Sequence, residues 1–459
     1  MHTSDDTITA IATARGRAAL AVIRLSGQKA VDIAASCFRG KRLKETASHT
    51  AHVGYITSSL GTDIDQVVVT LFLSPRSVTG DDLVEISCHG GDFAARLILD
   101  RLLEAGARMA EPGEFTQRAF VNGKIDLAQA EAVADLIHAS SSLAHQVSLS
   151  HLQGRYSEIL TDLRAELLEL AAFIELELDF SDEDVEFADM DRLLRLLERS
   201  GRLLSELLES YRLGARLRDG VRVVIGGRPN AGKSTLLNAI LGRARAIVSA
   251  TPGTTRDEIE AEAEIHGVLY RFVDTAGLRE TSNAIEEEGV RRAERSIEHS
   301  DVLLYVFDMS VGLDEQESEF LRTVRERRPG LPVVVIANKR DLVDGAAPEP
   351  DAAMAISAER AAESEEELSP LIQQLRAIVG GEISRSDASH VVTNQRHRHH
   401  LRKALEAVLA AKTSLDAGAS GDTLALELRI ALHELGAITG EITNEDVLDQ
   451  IFSRFCIGK

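Results

Sequence analysis

The sequence predicts three parts: an α/β region, a helical region, and a second α/β domain inserted into the helical region. With 459 residues the chain is too long for one hydrophobic core. Short β-branched runs alternate with helical patterns in residues 1–122 and again in 220–383. Residues 123–219 and 384–459 carry helical patterns alone. The expected fold class is therefore α/β plus all-α, and the inserted domain is expected to hold a doubly wound, mainly parallel sheet.

In the first region, three runs closed by Gly or Pro predict strands: "ALAVIRLSG", "VVVTLFLSP" and "DLVEISCHGG". "DFAARLILDRLLEAGA" has apolar residues at helical spacing and predicts a helix that ends near Gly106. "EPGEFTQRAFVNGK" predicts a loop that leads into another helix.

The helical region begins with "IDLAQAEAVADLIHASS", "YSEILTDLRAELLELAAFIELELDF" and "DRLLRLLERSGRLLSELLESYRLGARLRDG". Between the last two, "SDEDVEFADMD" is favoured as a solvated acidic link, with a metal site as the alternative. The basic run "RHRHH" at 396–400 is favoured as an exposed helix start, with a metal or RNA contact as the alternative.

Composition and charge bound the class of protein. A hydrophobic fraction of 44% with 27% charged residues is typical of a soluble globular chain. The net charge of −22 opposes indiscriminate binding to nucleic acid or anionic membrane, so RNA binding would need a local basic patch or a partner. Three scattered cysteines and no long apolar run favour a cytoplasmic protein that does not enter a membrane.

The motif "GRPNAGKS" at 227–234 follows an apolar run and precedes the helical pattern "TLLNAILG". This is the strand–loop–helix context of a phosphate-binding loop, in which main-chain N–H groups and a helix N-terminus face phosphate oxygens. Lys233 is expected to bridge the β- and γ-phosphates, and the Ser234 hydroxyl is expected to ligate Mg²⁺.

Three further motifs follow the loop in chain order. "DTAG" at 274–277 ends a predicted strand, and Asp274 can hold Mg²⁺ through water. "NKRD" at 338–341 ends a later strand, and the Asp341 carboxylate can accept hydrogen bonds from both N1–H and N2–H₂ of guanine. "ISAE" at 356–359 can add main-chain N–H groups to the base pocket. Together the motifs predict GTP as the nucleotide.

A glutamine that orients the attacking water in Ras-like proteins is absent, because Leu278 follows "DTAG". Another group must therefore position water and offset the charge that develops on the phosphates. The candidates are "SATPGTTRD" at 249–257, whose oxygens suit a cation, and the carboxylates of "IEEEG" at 285–289. For any one of those glutamates, a solvated surface role is the alternative.

These motifs, with "IRLSG", "RAFVNGKIDLAQAEA" and the terminal "CIGK", resemble the tRNA-modification GTPase MnmE (TrmE) family over essentially the whole chain. The resemblance implies a folate-binding, dimerising N-terminal domain, a helical domain and an inserted Ras-like G domain. It implies a homodimer that joins MnmG (GidA), an FAD-dependent partner, in a heterotetramer or larger complex. Together they would install an aminomethyl or carboxymethylaminomethyl group at C5 of the wobble uridine of certain tRNAs. The one-carbon donor would be 5-formyl- or methylene-tetrahydrofolate.

The resemblance also implies K⁺ in place of an arginine finger, with the G domains paired across their nucleotides. Asn230 matches a K⁺ ligand, and Thr255 matches the second Mg²⁺ ligand beside Ser234. Glu286, twelve residues after Asp274, matches the water-orienting glutamate, although Glu287 and Glu288 are its neighbours. The residues that complete the K⁺ shell are Ser249, Thr251 and Thr254. The nucleotide contacts expected from all the motifs are Asn230, Ala231, Gly232, Lys233, Ser234, Thr235, Ser249, Ala250, Thr251, Pro252, Gly253, Thr254, Thr255, Asp274, Thr275, Ala276, Gly277, Asn338, Lys339, Arg340, Asp341, Ser357, Ala358 and Glu359.

The family's folate contacts match four residues at the two ends of the chain. They are Arg24, Glu85, Lys124 and Lys459. Basic groups suit the folate carboxylates, and a carboxylate suits the donor edge of the pterin. Cys88 stands where the family has a small residue before "HGG", a departure that affects packing rather than these contacts.

Cys456, the fourth residue counted from the end of the sequence, admits three interpretations: a lipidation box, a frayed tail or a functional thiol. "CIGK" has Gly458 where lipidation boxes have an aliphatic residue, and no polybasic stretch precedes it. The resemblance favours the thiol, held toward the folate site. Two other classes, a ribosome-assembly GTPase and a self-assembling membrane GTPase, are disfavoured because the chain lacks a basic RNA-binding domain, a second G domain and a basic amphipathic helix.

Overall fold

The computed structural model of the protein describes residues 6–179, 190–243, 245–246, 260–274, 296–343, 354–361, 364–383, 388–453 and 455–458. The chain divides into two compact units, each continuous in space but not in sequence. The first unit comprises Met1–Ala134, His151–Ala172 and Leu428–Lys459. The second unit comprises Asp135–Ser150 and Phe173–Glu427.

Fourteen strands are formed by the described residues. They are β1 (Ile8–Ile11), β2 (Leu20–Ser26), β3 (Phe38–Arg39), β4 (Thr50–Thr57), β5 (Asp63–Phe72), β6 (Leu83–His89), β7 (Arg108–Met109), β8 (Val221–Gly226), β9 (Arg245–Ala246), β10 (Glu260–Ile265), β11 (Val268–Asp274), β12 (Val302–Asp308), β13 (Val333–Asn338) and β14 (Met354–Ala355). The first seven form one sheet and the last seven form another.

The α-helices of the described residues follow the periodic apolar patterns of the sequence. They are α1 (Ala30–Cys37), α2 (Asp92–Glu104), α3 (Glu114–Val121), α4 (Leu127–His138), α5 (Ser142–Leu152), α6 (Arg155–Asp179), α7 (Met190–Asp219), α8 (Lys233–Arg243), α9 (Glu315–Arg327), α10 (Ala358–Ala361), α11 (Glu365–Ile383), α12 (Gln395–Asp416), α13 (Gly421–Thr439) and α14 (Glu445–Phe452). None of the described helices is long and apolar enough to cross a membrane. Most of the acidic run 181–191 lies outside the described residues.

The sheet of the first unit has the strand order β3-β4-β5-β6-β2-β1-β7. Its neighbours are antiparallel except for β1 and β7, which are parallel. The three strands predicted for this region are confirmed as β2, β5 and β6. Alternate residues Ile23 and Leu25 point into a core that α2 covers with Ile98 and Leu102. The period of two in the strand and of three to four in the helix therefore places one apolar face on the other.

The opposite face of this sheet is covered in part by α3. Phe115 of α3 packs with Ile8, Ala10 and Leu83 in a second, smaller core. Beside it, Phe452 of α14 and its neighbours form a cluster with Leu127 at the start of α4. The last helix of the chain is therefore packed within the same unit as the first strand.

Beside this small core, a buried carboxylate accepts hydrogen bonds from two arginines. Glu114, at 3% exposure, accepts hydrogen bonds from Arg108 Nη2 at 2.6 Å and from Arg118 Nη2 at 3.2 Å. Asp6 accepts from the same two arginines. Burial raises the pKa of Glu114, but the hydrogen bonds from Arg108 and from the Glu111 N–H lower it further, so that it lies below its usual value. The network thus joins α3 to β7 and to the residues before β1.

The second unit contains the parallel sheet predicted for the inserted domain, in the order β14-β13-β12-β8-β11-β10-β9. The five strands from β14 to β11 are parallel, and β10 and β9 extend the sheet in antiparallel fashion. The inserted doubly wound domain is therefore confirmed. Because parallel strands end at the same edge, the residues that follow β8, β12 and β13 lie together there.

The helical part of the second unit is built on α7 and α12, which pack along each other. Buried residues of α12 recur every three or four positions, as Leu401, Ala404 and Val408 do. Lys412 Nζ of α12 lies 2.8 Å from a carboxylate oxygen of Glu198 in α7. The basic run 396–400 forms the first turns of α12, with His397 buried and Arg398 exposed.

Replacing the buried carboxylate of Glu114 should destabilise the first unit more than replacing an exposed one. We expect Glu114→Ala to lower the free energy of opening of the first sheet by roughly 3 kcal/mol, because Arg108 and Arg118 lose a buried partner. Asp63→Ala, which removes the exposed pair with Arg39, should cost below about 1 kcal/mol. Amide hydrogen exchange of the first sheet measures both costs.

The same pair of variants has a pH signature. The pKa of Glu114 is lower in the folded state than in the unfolded state. Its contribution to the free energy of unfolding is therefore complete at pH values above the unfolded-state pKa, and it is lost as the pH falls through the folded-state pKa. The difference between wild type and Glu114→Ala should therefore be constant near neutral pH and shrink below about pH 4. Equal costs for Glu114→Ala and Asp63→Ala would contradict the role given to the buried network.

Candidate functional site

The loop between β8 and α8 has a backbone that glycine makes possible. Gly227 has a φ of 135°, and a Cβ there would lie 2.0 Å from the carbonyl oxygen of Val306 in β12. Gly232 has a φ of 91°, and a Cβ there would lie 2.1 Å from Nδ2 of Asn338. The loop is therefore pressed against the neighbouring strand at one end and against the "NKRD" motif at the other.

Lys233 starts α8 and points back into the loop. Its side chain is 5% exposed, and Nζ donates to the carbonyl oxygens of Gly227 at 2.9 Å and Arg228 at 2.6 Å. Ser234 and Thr235 follow in the first turn of α8 and are exposed. Asn230, also exposed, has a left-handed φ of 62°. The ammonium group, the helix N-terminus and the Ser234 hydroxyl thus lie together at the edge of the sheet where a phosphate is expected.

Asn338 joins the loop to the base-recognition motifs. It is 2% exposed at the end of β13, and Nδ2 donates to the carbonyl oxygen of Ala231 at 2.7 Å. Its Oδ1 accepts from the main-chain N–H of Ala358 at 2.9 Å. One amide therefore holds the phosphate loop and the "ISAE" turn at a fixed spacing, using both its donor and its acceptor.

Lys339 and Asp341 follow Asn338 in a tight turn. Lys339 has a left-handed φ of 65°, and its Nζ lies 2.6 Å from Oδ2 of Asp308 at the end of β12. The Ser357 hydroxyl donates to Oδ1 of Asp341 at 2.5 Å. That hydrogen bond holds the pKa of Asp341 below its ordinary value. The carboxylate is thus kept in the ionised form, which is the form that accepts both guanine donors.

The sequence predicts that main-chain N–H groups of the "ISAE" turn contact the base, but two of these groups are hydrogen-bonded within the protein. The Ser357 N–H donates to Oε1 of Glu367 in α11 at 2.7 Å, and the Ala358 N–H is taken by Asn338. Glu359 is exposed, and the Arg340 N–H donates to the Ile356 carbonyl at 3.3 Å. The turn therefore supports Asp341 and Asn338 through hydrogen bonds, with Glu367 as a partner that sequence reasoning missed.

Several predicted contacts lie outside the described residues. These are Ser249, Ala250, Thr251, Pro252, Gly253, Thr254, Thr255, Thr275, Ala276, Gly277, Glu286 and Lys459. For Asp274 the backbone is described: it ends β11 and pairs with Ile225 of β8. Among the described residues, no group of three or more His, Cys, Asp or Glu side chains is arranged to hold a metal ion.

Ion pairs between the phosphate loop and the start of α9 are a second feature that sequence reasoning missed. Arg228 forms an ion pair with Asp314, the N-cap of α9, and its Nε lies 3.5 Å from Oε2 of Glu317. Glu317 is 5% exposed and also accepts the Tyr305 hydroxyl at 3.0 Å, while burial raises the pKa of Tyr305. The spacing D-x-x-E of the capping box at 314–317 is the sequence signal for this helix start. The carbonyl of Arg228 accepts a hydrogen bond from Lys233 Nζ, so the ion pair of Arg228 also bears on the position of Lys233.

Three of the four predicted folate residues, Arg24, Glu85 and Lys124, are described by the structure and lie in the first unit. Nε of Arg24 on β2 donates to Oε1 of Glu85 on β6 at 2.8 Å, and each side chain is about a quarter exposed. Arg24 pairs across the sheet with Ala10 of β1. Lys124 follows the end of α3 and is exposed. Arg24 and Glu85 are therefore brought together. Their partly exposed side chains offer a ligand both hydrogen-bond donors and acceptors.

Residues 456–458 lie next to β1, the strand that pairs with the Arg24-bearing β2. Ile457 forms a β-bridge with Pro112, and the Gly113 N–H donates to the carbonyl of Cys456 at 3.4 Å. Gly458 has a φ of 96°, and a Cβ there would lie 2.6 Å from the carbonyl oxygen of Ile11. This close approach explains the glycine of "CIGK". The tail is thus docked on the first unit and not frayed.

Of the three cysteines, Cys456 alone is exposed; Cys37 and Cys88 are buried. The Cys88 thiol donates to the carbonyl of Ala21 at 3.5 Å, and burial raises its pKa to about 11. Cys88 therefore acts as a core side chain, and Cys456 is the thiol that solvent and a ligand can reach.

The loop, the guanine motifs and the parallel sheet define a P-loop protein of the guanine-nucleotide-binding class. A model of the MnmE helical domain matches residues 127–456, and a model described as GTP-binding protein TrmE N-terminus matches residues 7–124. The chain belongs to the MnmE family.

Curated relatives match the chain from end to end. The tRNA modification GTPase MnmE of Salinibacter ruber is 62% identical over 99% of this chain and 99% of that protein. The protein of the same name from Cytophaga hutchinsonii is 45% identical over 99% and 98%. Among solved structures, Aquifex aeolicus Era bound to GDP·AlF₄⁻ is 30% identical over 33% of this chain and 56% of Era, with a TM-score of 0.26. That TM-score is too low for the likeness to bear on the fold.

Removing the outside anchor of the phosphate loop should weaken nucleotide binding. We expect Arg228→Ala to raise the Kd for GTP about fivefold at most, because an exposed ion pair worth up to about 1 kcal/mol no longer holds the loop. Arg325→Ala, on the exposed side of α9, is the matched control and should leave the Kd unchanged. Equal Kd values for Arg228→Ala and wild type, measured with a fluorescent GTP analogue, would refute the anchoring role.

Proposed function

We propose that this chain is a K⁺-dependent GTPase that modifies tRNA. With an FAD-dependent partner, MnmG (GidA), it installs an aminomethyl or carboxymethylaminomethyl group at C5 of the wobble uridine of certain tRNAs. A tetrahydrofolate derivative, 5-formyl- or methylene-tetrahydrofolate, supplies the one-carbon unit. The observation that carries the GTPase part is the hydrogen-bonded assembly of Lys233, Asn338 and Asp341 at one edge of the parallel sheet.

In the nucleotide site, Lys233 binds the β- and γ-phosphates and Asp341 selects guanine. The Ser234 hydroxyl at the start of α8 suits Mg²⁺. Thr255 would be the second ligand, and Asp274 would hold the ion through water. Bound Mg²⁺ offsets the negative charge of the phosphate oxygens. Since Lys233 now donates to two loop carbonyls, phosphate oxygens would take over these donors on binding.

Water must be oriented without the glutamine of Ras-like proteins. Glu286 takes this role in the proposal, and Asn230 holds K⁺ together with Ser249, Thr251 and Thr254. The exposed amide of Asn230 at the phosphate loop supports the assignment, since its Oδ1 is an oxygen donor of the kind that K⁺ requires. Bound K⁺ supplies positive charge next to the phosphates, the contribution that an arginine finger makes elsewhere.

The folate site is proposed at Arg24, Glu85, Lys124 and Lys459. The Arg24–Glu85 pair supports it, because a pterin edge presents donors to a carboxylate and folate carboxylates attract basic groups. The docked tail brings Cys456 to the same unit, where its exposed thiol can meet a substrate.

The homodimer in this proposal has support from the exposed face of the first sheet. Val53 of β4 lies opposite Val68 of β5, and Tyr55 lies two residues along on the same face. Val53 is 66% exposed and Val68 is 38% exposed. Apolar side chains that meet on one exposed sheet face are suited to burial against a second copy. The setting proposed is the cytoplasm, where the tRNA substrate is found.

GTP turnover in KCl and in NaCl at equal ionic strength tests the GTPase part. We expect at least a tenfold faster rate in KCl, and we expect Asn230→Ala to remove that difference, because the cation loses a ligand beside the phosphates. Asn122→Ala, a change of the same residue type in the first unit, is the matched control and should keep the K⁺ effect. Equal rates in both salts would contradict the K⁺ mechanism.

Replacing the exposed thiol should separate the two activities. Cys456→Ser keeps the size and the docked tail but removes the nucleophilic sulfur, so tRNA modification should be lost while GTP turnover stays near the wild-type rate. Cys88→Ser, at a buried position, is the control for a general effect of thiol loss. Modification by Cys456→Ser at the wild-type rate would rule out a chemical role for this cysteine.

A further inference from the structure

A cleft of about 440 Å³ lies in the second unit, at the edge of the parallel sheet opposite the nucleotide site. Its walls come from the end of α7, from residues just before β12 and β13, and from the start of α12. Gly220, Asp301 and Leu331 each line the cleft and each lie just before a strand, whereas the nucleotide motifs follow strand ends. The volume is within the range of small-molecule sites, about 300–1,000 Å³.

The cleft concentrates positive charge in a chain of net charge −22. Arg212, Arg216, Arg328 and Arg398 line it, against Asp219 and Asp301. Both carboxylates already have cationic partners. Asp301 Oδ1 lies 3.4 Å from Nε of Arg216, and Asp219 is paired with Arg218. Asp301 Oδ2 also accepts a hydrogen bond from the main-chain N–H of Arg222. The remaining guanidinium groups therefore leave the cleft positive.

Three arginines carry charge that no described carboxylate offsets. Arg328 donates to the main-chain carbonyls of Ile297 and Ser300. Arg398 lies over the ring of Tyr211, with 4.7 Å between its Cζ and the ring centroid, and among the described residues it has no acidic partner. Arg212 is exposed and makes no side-chain hydrogen bond or ion pair with the described part of the chain.

The cation–π contact with Tyr211 restrains the position of the Arg398 guanidinium group at the wall of the cleft. The held guanidinium groups of Arg328 and Arg398, with the exposed one of Arg212, suit the tetrahedral oxygens of phosphate, which guanidinium groups can bind in bidentate fashion. Because the whole-chain field repels anions, an anion would be held here only by such local contacts.

We propose that this arginine cleft binds a phosphate group, with Arg212, Arg328 and Arg398 as its contacts. The group can belong to the backbone of RNA or to a small phosphorylated molecule, since both present the same oxygens. The RNA source rests on the proposed function in tRNA modification, whereas the small-molecule source is independent of it. Either way the cleft is a second phosphate site, on the far side of the sheet from GTP.

The test uses the full chain with its nucleotide site filled by Mg²⁺·GDP, so that the P-loop does not compete. Two probes separate the sources: inorganic pyrophosphate by calorimetry, and a transcribed tRNA by fluorescence anisotropy between 50 and 200 mM KCl, about the range over which phosphate contacts are salt-sensitive. The variants are Arg398→Ala and Arg398→Lys. Arg376→Ala, an exposed arginine on α11 that does not line the cleft, is the matched loss of charge.

We expect Arg398→Ala to weaken binding of one probe about tenfold, as the loss of a charge-assisted hydrogen bond implies, and Arg376→Ala to leave it unchanged. Arg398→Lys should restore only part of the affinity, because lysine keeps the charge but loses the fork. If Arg398→Ala weakens tRNA binding and lowers the slope of log affinity against log salt concentration by about 0.7 to 0.9, the phosphate belongs to RNA. An effect on pyrophosphate alone identifies a small phosphorylated molecule.

The proposal is overturned if neither probe distinguishes Arg398→Ala from Arg376→Ala. Its failure is separable from failure of the proposed function, because tRNA modification and K⁺-dependent GTP turnover are measured on the same preparations. The arginines of the cleft lie outside the nucleotide site, so GTP turnover should be unchanged in all three variants.

Discussion

The amide of Asn338 is the contact on which the nucleotide site depends. It donates to the Ala231 carbonyl and accepts from the Ala358 N–H, and all three residues are buried. Loss of the side chain would leave a buried donor and a buried acceptor without partners, each at a cost of roughly 1–3 kcal/mol. Because the amide touches both the loop between β8 and α8 and the turn that supports Asp341, one residue sets the spacing between that loop and that turn.

The parallel direction of its strands gives the sheet of the second unit two chemically different edges. One edge of the parallel sheet carries the loop of Lys233, the Asp308–Lys339 pair and Asn338, and the other edge carries the arginine cleft. The anchor from Arg228 to Asp314 and Glu317 extends the first edge to α9. A shift of α9 would therefore move the carbonyl that holds Lys233. In the first unit, the tail residues lie beside β1, the strand that pairs with β2, and β2 carries Arg24.

Much of this architecture could be predicted because it depends on local pattern. Strands β2, β5 and β6 and the parallel sheet follow from alternating or continuous apolar runs, and "GRPNAGKS" identifies its own strand–loop–helix context. The Arg228 anchor, the Glu367 contact and the arginine cleft could not be found this way. Each joins residues distant in sequence, such as Arg228 with Asp314, and single charged residues in a charged chain carry no signal of their partners. The engaged N–H groups of Ser357 and Ala358 likewise depend on tertiary contacts.

Guanine selection by Asp341 is the central claim, and a change of base tests it most directly. Xanthine carries a carbonyl oxygen where guanine carries N2–H₂, so an amide can donate to that oxygen and still accept from N1–H. The measurement is the Kd of Asp341→Asn for GTP and for xanthosine triphosphate, beside the wild type. The account predicts that GTP binds about a hundredfold more weakly and xanthosine triphosphate more tightly than in the wild type. An unchanged Kd for GTP would contradict it.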